Sequence, residues 1–335
     1  MQDIAKLPVN ELSDLFRITS ASSGLPPAVI EKDFWVCCVL DHLFRQSPFK
    51  DHIVFKGGTS LSKAFKLISR FSEDIDLILD WRLLGYGLDE PWEERSNTRQ
   101  DKFKLDSIER TNIYLAEEFA PSLKDSFSEE LGFEVIVRPA DEEETVIFEY
   151  PRLYHLNATL DVIRLEIGPL AAWTPTIEAE ISSYAAEQRP GVFKKPSTIV
   201  TATTPERTFW EKITILHQEA HRPDSKSMPP RYSRHYYDVY QLGNSPVKDK
   251  ALANTALLQK VVDFKTKFYR SPWARFEECL PGSLKLDLPE YRLSELVSDY
   301  AAMQDMLVGN RPSLDKILEY LHLLQAEINS QSGVT

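Results

Sequence analysis

The sequence predicts an α/β (α+β) fold, with a small mixed sheet at its centre and helical additions at both ends. Three patterns lead to this expectation. Between residues 53 and 79 a short apolar strand, a glycine turn, an amphipathic helix and a second strand follow one another closely. Between 133 and 168 three more runs have strand character, and after 250 helical periodicity dominates. A boundary is expected near residue 200, separating a sheet-bearing domain with N-terminal helices (1–200) from a mainly helical domain (201–335).

Residues 1 to 22 read as helical. PPAVIEKDFWVCCVLDHLF (26–44) reads as a second helix, whose prolines suit a first turn. Ile30, Phe34, Cys37 and Cys38 make its apolar stripe, which Asp41 interrupts and Phe44 resumes. IVF (53–55) is a strand broken by Gly57-Gly58. Thr59 or Ser60 is then placed to cap a helix marked by Leu61, Ala64, Phe65 and Ile68. DIDLIL (74–79) is the next strand. Residues 81–101 read as a loop, 101–130 as a charged helical segment, and FEVIVRP, TVIFEY and DVIRLEIG as strands. The stretch 169–203 is harder to assign and includes the small basic cluster RPGVFKKP (189–196). A helix follows from Pro205, with Thr204 as its cap and Phe209, Ile213 and Leu216 on its buried face. Residues 221–235 form a proline-rich basic loop, and YYDVYQL (236–242) restarts ordered structure.

Composition narrows the function classes. With 335 residues, 42% of them hydrophobic and 11% aromatic, the chain has the makings of an ordinary globular core. No apolar run is long enough to span a bilayer, and MQDIAKLPVNELSDLF lacks the basic start and apolar stretch of a signal peptide. Cys37, Cys38 and Cys279 form neither a disulfide framework nor a zinc spacing, so a reduced, cytoplasmic protein is expected. Lys and Arg number 39 against 51 Asp and Glu, a net charge of −12. Such a chain repels nucleic acid in bulk, and a polyanionic substrate needs a local basic patch or metal ions.

The chemistry concentrates in FKGGTSLSKAFKLISRFSEDIDLIL (55–79). Residues two apart on a strand face the same way, so Asp74 and Asp76 share one face while Ile75, Leu77 and Leu79 fill the other. Taken alone, the pair is either a solvated polar edge or a seat for a divalent cation, which would relieve the repulsion between the carboxylates. Hard oxygen ligands suit Mg²⁺, with Mn²⁺ as the alternative. Gly57 and Gly58 let backbone approach a ligand, and the helix after them directs its first amides at phosphate. The pattern is not a Walker loop, because Ser62 stands where a second glycine is required. A kinase glycine loop lies between two strands and does not fit either. Strand, glycine turn with hydroxyls, helix and a second strand with D-x-D make the arrangement that nucleotidyl transfer requires.

GGTSLSK followed by SEDIDL resembles the nucleotidyltransferase fold shared with DNA polymerase β, and more specifically the AbiEii/AbiGii toxin group that includes the MenT toxins. EKDFWV (31–36) resembles the N-terminal signature of the same group. The resemblance is strongest over residues 28–80. It implies a toxin of a bacterial toxin–antitoxin or phage-defence system that transfers NMP from an NTP to an acceptor. MenT-like members modify the 3′ end of tRNA, so the resemblance makes tRNA the first acceptor and a cognate antitoxin a partner.

The resemblance also assigns site residues. Asp74 and Asp76 are metal ligands and catalytic. Gly57, Gly58, Thr59, Ser60 and Lys63 bind the nucleotide, although Lys63 alternatively faces outward from its helix. Superfamily sites usually add a third carboxylate. In DVIRLEIG, Glu166 lies opposite the apolar Ile163, Leu165 and Ile167 and is the candidate, with an Arg164–Glu166 surface pair as the alternative. Lys212 in TFWEKI and Asp238 in RHYYDVYQL match a functional lysine and a later aspartate. Lys212 is either a triphosphate ligand or a solvated helix lysine, and Asp238 either orients it or caps a helix.

The loop from 221 to 235 carries Arg222, Lys226, Arg231 and Arg234 against a single Asp224, and Tyr232, Tyr236 and Tyr237 stand nearby. It is expected either to guide an RNA backbone, its tyrosines stacking on bases, or to be a surface loop with locally packed tyrosines. Two other functions stay open at this level: transfer to a protein or small molecule, and an NTP-binding sensor without turnover.

Overall fold

The computed structural model describes residues 1–155, 161–170 and 174–331. The chain forms two compact units. The first comprises Met1–Phe65 and Phe71–Thr203, and the second Lys66–Arg70 and Thr204–Thr335.

The first unit runs α1 (Gln2–Ala5), α2 (Val9–Ser23), α3 (Pro27–Arg45), β1 (Ile53–Lys56), α4 (Gly57–Lys63) and β2 (Ile75–Leu79). After two short 3₁₀ turns come α5 (Asn97–Tyr114), one π turn and α6 (Ala120–Leu131). There follow β3 (Ile136–Pro139), β4 (Thr145–Glu149), β5 (Ile163–Gly168), β6 (Thr176–Ser182), α7 (Tyr184–Gln188) and β7 (Ser197–Thr203). The seven strands make one mixed sheet in the order β3-β4-β5-β2-β1-β7-β6. β1 runs antiparallel to β2, and the pairs β2–β5 and β1–β7 are parallel.

The strand registers divide the sheet into two unlike faces. Val146 and Phe148, Ile163, Leu165 and Ile167, Ile75, Leu77 and Leu79, Ile53 and Phe55, and Ala202 pair across neighbouring strands and share one face. All of them are buried. Phe148 packs against Trp35 of α3 and Phe127 of α6, with ring centroids 6.3 and 5.5 Å away. At about 1.5–3 kcal/mol for each fully buried large apolar side chain, this continuous face is a main source of the unit's stability. The other face carries Lys56, Asp76, Glu166 and Thr145, so the polar residues are collected on the side away from this core.

The α/β class predicted from the sequence is the class observed, with a sheet two strands wider than the five predicted. β6 and β7 fall in the stretch 169–203, which the sequence left unassigned. β6, TIEAEIS, does alternate Ile177, Ala179 and Ile181 with polar residues and was legible as a strand, although most of it is exposed; β7 is rich in Ser and Thr, which blurs its alternation. Helix α3 has no polar face: sixteen of its nineteen residues are buried, Asp41 among them. Asp41 holds Arg45 at 3.1 Å. The helix after the glycines is shorter than predicted and starts earlier. It begins at Gly57 and ends at Lys63, without a side-chain cap, so neither Thr59 nor Ser60 plays that role. Asp74 stands immediately before β2.

The second unit is helical: α8 (Pro205–Ala220), α9 (Ser233–Gly243), α10 (Pro246–Leu252), α11 (Thr255–Phe268), α12 (Leu293–Met303) and α13 (Leu314–Asn329). Phe209, Ile213 and Leu216 are buried as the periodicity requires. Thr204 stands at the N-cap of α8, but its hydroxyl makes no cap bond. Among the described residues no helix is long and apolar enough to cross a membrane.

His217 is enclosed in this unit. Its Nε2 lies 3.0 Å from the Arg275 carbonyl, and its Nδ1 accepts from the Lys285 amide at 3.1 Å, which requires the neutral Nε2–H tautomer. Burial pushes its pKa down to about 4. Because the unfolded chain binds this proton near pH 6.5, stability is full above that pH and falls as pH drops through 4. The expected loss is on the order of 2–3 kcal/mol. Urea unfolding of wild type and His217→Gln between pH 4 and 8 checks this: the variant should show a flatter acid limb, and parallel curves would rule out His217 as the cause.

Candidate active site

The polar face of the sheet is organised as a row. Lys56 of β1 lies opposite Asp76 of β2, Asp76 beside Glu166 of β5, and Glu166 opposite Thr145 of β4. Asp74 stands two residues before Asp76, at the end of the strand. Its Oδ1 is buried and has no hydrogen-bond partner among the described residues. Burial raises the Asp74 pKa first, then the charges of Glu73 and Asp76, while Lys32 and Arg164 oppose them. Lys32 and Arg164 act on this carboxylate only through space, and a hard divalent cation is the chemical complement of such an unbonded oxygen beside a second carboxylate.

The glycine turn is shaped around Asp76. Gly57 has φ +80°, and a Cβ there would fall 2.0 Å from Oδ2 of Asp76. Only glycine lets β1 pass into α4 while that carboxylate keeps its place. Gly58 is buried in the first turn of α4. The other residues expected to bind nucleotide have different partners. Thr59 Oγ1 donates to the Asp74 carbonyl at 2.5 Å and lies 2.9 Å from Ser72 Oγ, so it ties α4 to the strand bearing the aspartates. Ser60 Oγ donates to the Gly57 carbonyl at 2.9 Å. Lys63, expected to reach phosphate or face outward, does neither. It is buried against Asp33 at 2.6 Å, 4.0 Å above the Tyr184 ring. Burial acts against its ammonium, but Asp33 outweighs it and the pKa rises.

Glu166 is aligned with Asp76 as the alternation in DVIRLEIG predicts. Its side chain remains 47% exposed and lies 3.7 Å from Arg164. Among the described residues no group of three or more His, Cys, Asp or Glu is gathered to hold a metal, so Glu166 meets the third-ligand expectation by register only.

Three consecutive charges on α3 are buried with partners, two of them, Lys32 and Asp33, on elements of the site, and the sequence alone assigned them no roles. Glu31 accepts from the Leu153 and Tyr154 amides at 2.7 and 2.9 Å, and burial pushes its pKa up to about 7. Lys32 binds Glu73 at 2.6 Å, one residue before Asp74. Asp33 holds Lys63 and accepts from the Tyr184 amide at 2.7 Å. The signal was present: a run Glu-Lys-Asp inside a helix with no solvent face requires a buried partner for each charge.

The second unit holds a separate charged cluster. Asp238 lies within α9, not at its start, which excludes a capping role. Its Oδ1 accepts from Arg70 Nε at 2.8 Å, and its Oδ2 from Arg70 Nη2 at 2.9 Å and Lys212 Nζ at 2.7 Å. All three side chains are buried, so Lys212 is not a solvated helix lysine. Burial works against the Asp238 charge, yet Arg70 and Lys212 outweigh it and its pKa falls well below the usual range. For Lys212, burial lowers the pKa most, Asp238 supports the charge, and Arg70 and Arg234 lower it further.

The basic loop differs from expectation. Tyr236 and Tyr237 are fully buried and stack on nothing from outside, because they belong to the inner face of α9. Arg222 is buried in a two-bond pair with Glu219, both contacts 2.7 Å. The loop backbone is pinned to α12, with Glu295 accepting from the Met228 amide at 2.9 Å and Asp299 from the Ser233 amide at 2.8 Å. Lys226 and Arg231 remain exposed, with Tyr232 and Arg234 half-buried.

A mixed sheet with a glycine turn after one strand and paired carboxylates on the next defines a nucleotidyltransferase. Residues 38–320 match the family of nucleotidyl transferase AbiEii toxins of type IV toxin–antitoxin systems, and the chain belongs to that family. Among solved structures, MenT4, a nucleotidyltransferase toxin from Mycobacterium tuberculosis, is similar with a TM-score of 0.53 and 14% identity, over 96% of this chain and 90% of its own. JHP933 from Helicobacter pylori aligns over 92% of this chain and 96% of its own, with 13% identity and a TM-score of 0.42. At such identity the MenT4 likeness establishes the fold. No curated protein matches the chain.

Gly57→Ala tests the turn. The left-handed backbone alone should cost about 1–2 kcal/mol, and the added methyl should displace the Asp76 carboxylate. The expected outcome is a modest fall in the urea midpoint with near-complete loss of nucleotidyl transfer; wild-type transfer by the variant would show that Asp76 does not need its present position.

Proposed function

We propose that this toxin transfers a nucleotidyl group from an NTP to the 3′ end of a tRNA, with Mg²⁺ as cofactor. The observation that carries the reading is the buried, unpartnered carboxylate oxygen of Asp74 beside Asp76, on a sheet face opened to backbone approach by Gly57. Asp74 and Asp76 are the residues that would hold the cation, with Glu166 as the third candidate. A bound divalent ion supplies charge neutralisation at the phosphates and makes the attacking hydroxyl more acidic.

The chain's own contribution is positioning. Gly57 and Gly58 admit the phosphates close to backbone at the first turn of α4, whose leading amides the helix itself does not use. Thr59 acts by fixing the Asp74 carbonyl. Lys212, oriented by Asp238, engages the triphosphate charge. The acceptor hydroxyl attacks the α-phosphate, and the products are an NMP-extended acceptor and pyrophosphate.

The tRNA acceptor follows from the family resemblance, and exposed Lys226 and Arg231 give an otherwise acidic chain a local patch suited to an RNA backbone. Membership of a type IV toxin–antitoxin family implies a cognate antitoxin. We place the toxin in phage defence on the same resemblance.

Incubation with total tRNA, Mg²⁺ and each α-labelled NTP in turn, wild type beside Asp74→Ala/Asp76→Ala, tests the proposal. Label should enter RNA with the wild type and one nucleotide, and not with the double variant. Equal labelling by the variant would refute the carboxylate roles. Label in protein or small molecules alone would refute the acceptor, and binding without pyrophosphate release would make the protein a sensor.

A further inference from the structure

Arg70 lies inside the 55–79 stretch, between GGTSLSK and SEDIDL, where the sequence assigned it no role, yet it makes two of the three side-chain contacts to the Asp238 carboxylate described above. It lies in a five-residue segment, Lys66–Arg70, that enters the second unit between α4 and the aspartates of β2. The segment begins at Lys66 in a left-handed conformation, φ 54°. It is fixed by the Ser69 amide on Tyr237 Oη at 3.3 Å, by the Val308 amide on the Ser69 carbonyl at 2.8 Å, and by a bridge from Arg70 to Leu307. The guanidinium therefore reaches Asp238 from an immobilised backbone.

The geometry distributes the carboxylate. The planar fork of Arg70 takes Oδ1 and one site on Oδ2, which leaves Lys212 a single contact on Oδ2. With Arg70 absent, the whole carboxylate would turn to Lys212, hold its ammonium more tightly and reduce its capacity to interact with an anion. Replacing the fork by a lysine would keep a charge but not the fixed division of acceptor sites.

We propose that Arg70 is a positioning residue for nucleotidyl transfer, acting through Asp238 to orient Lys212 and leave it available to the triphosphate; this rests on the role given to Lys212 above. Lys212 is faced by Asp238 and Arg234 of α9, by Arg70, and by His235, whose own pKa is held low by burial and by Lys212. Because Arg70 lowers the Lys212 pKa, removing its charge raises it, and the alkaline limb of kcat/KM for NTP moves to higher pH.

The test compares wild type, Arg70→Gln, Arg70→Lys and Lys212→Ala by steady-state kinetics with varied NTP across pH, with circular dichroism to confirm folding. Arg70→Gln should lower kcat/KM for NTP by about tenfold or more and shift the alkaline limb upward. Arg70→Lys should return the limb towards wild type and recover part of the rate. A folded Arg70→Gln with wild-type kcat/KM and an unmoved limb overturns the proposal, since a purely structural arginine would change stability alone. Should Arg70→Gln not fold, wild-type kcat/KM in Arg70→Lys overturns the fork. Full activity in Lys212→Ala would overturn the Lys212 role itself, a result distinguishable from any produced by the arginine variants.

Discussion

The buried ion pair between Lys32 and Glu73 fixes the backbone from which Asp74 and Asp76 project. Its 2.6 Å contact is almost wholly removed from water, and breaking one partner of such a pair typically costs about 3–5 kcal/mol because the other charge is left uncompensated. Helix α3 therefore sets the position of the aspartates through Glu73, and that of α4 through Asp33 and Lys63. The two elements are further joined by Thr59 on the Asp74 carbonyl. A site that gathers negative charge is held in this way by neighbouring charges that are already neutralised, and Asp74 is left as the carboxylate with an unanswered oxygen.

The sheet gives this arrangement its directionality. One face is a continuous apolar surface over five strands, which makes a one-residue slip in register unfavourable, because it would turn the apolar set outward. The same register brings Lys56, Asp76 and Glu166 into one row. The second unit answers a different requirement. It keeps an ammonium and a guanidinium out of water by giving both to Asp238, whose charge they in turn sustain. Burial and charge sharing thus do opposite things in the two units: a carboxylate is left short of positive partners in one, and amply supplied in the other.

Much of the polar face was legible because strand periodicity is local. Two aspartates two residues apart, and Glu166 opposite three apolar neighbours, place themselves once the alternation is recognised. The same holds for Phe209, Ile213 and Leu216 on α8. Partners chosen by the tertiary fold were not legible. Arg70 and Asp238 are 168 residues apart, and nothing near either residue announces the other. Lys63 reads as a phosphate ligand from its neighbours in sequence, and only the packing of α3 reveals Asp33. Tyr236 and Tyr237 adjoin a basic loop in sequence, while the helical turn they occupy directs them inward. Strand β6 carried a legible alternation, Ile177, Ala179 and Ile181 between polar residues, and was missed, whereas β7 is built largely from small hydroxyl residues that blur the pattern.

The central claim is that the Asp74–Asp76 pair is a cation seat. The most direct measurement is Mn²⁺ binding followed by electron paramagnetic resonance in the presence of a non-hydrolysable NTP analogue, for wild type and Asp74→Asn. The account predicts stoichiometric, nucleotide-dependent Mn²⁺ binding by the wild type, competed by Mg²⁺ and lost in a folded Asp74→Asn protein. Equal binding by both proteins, or none by the wild type, would contradict it.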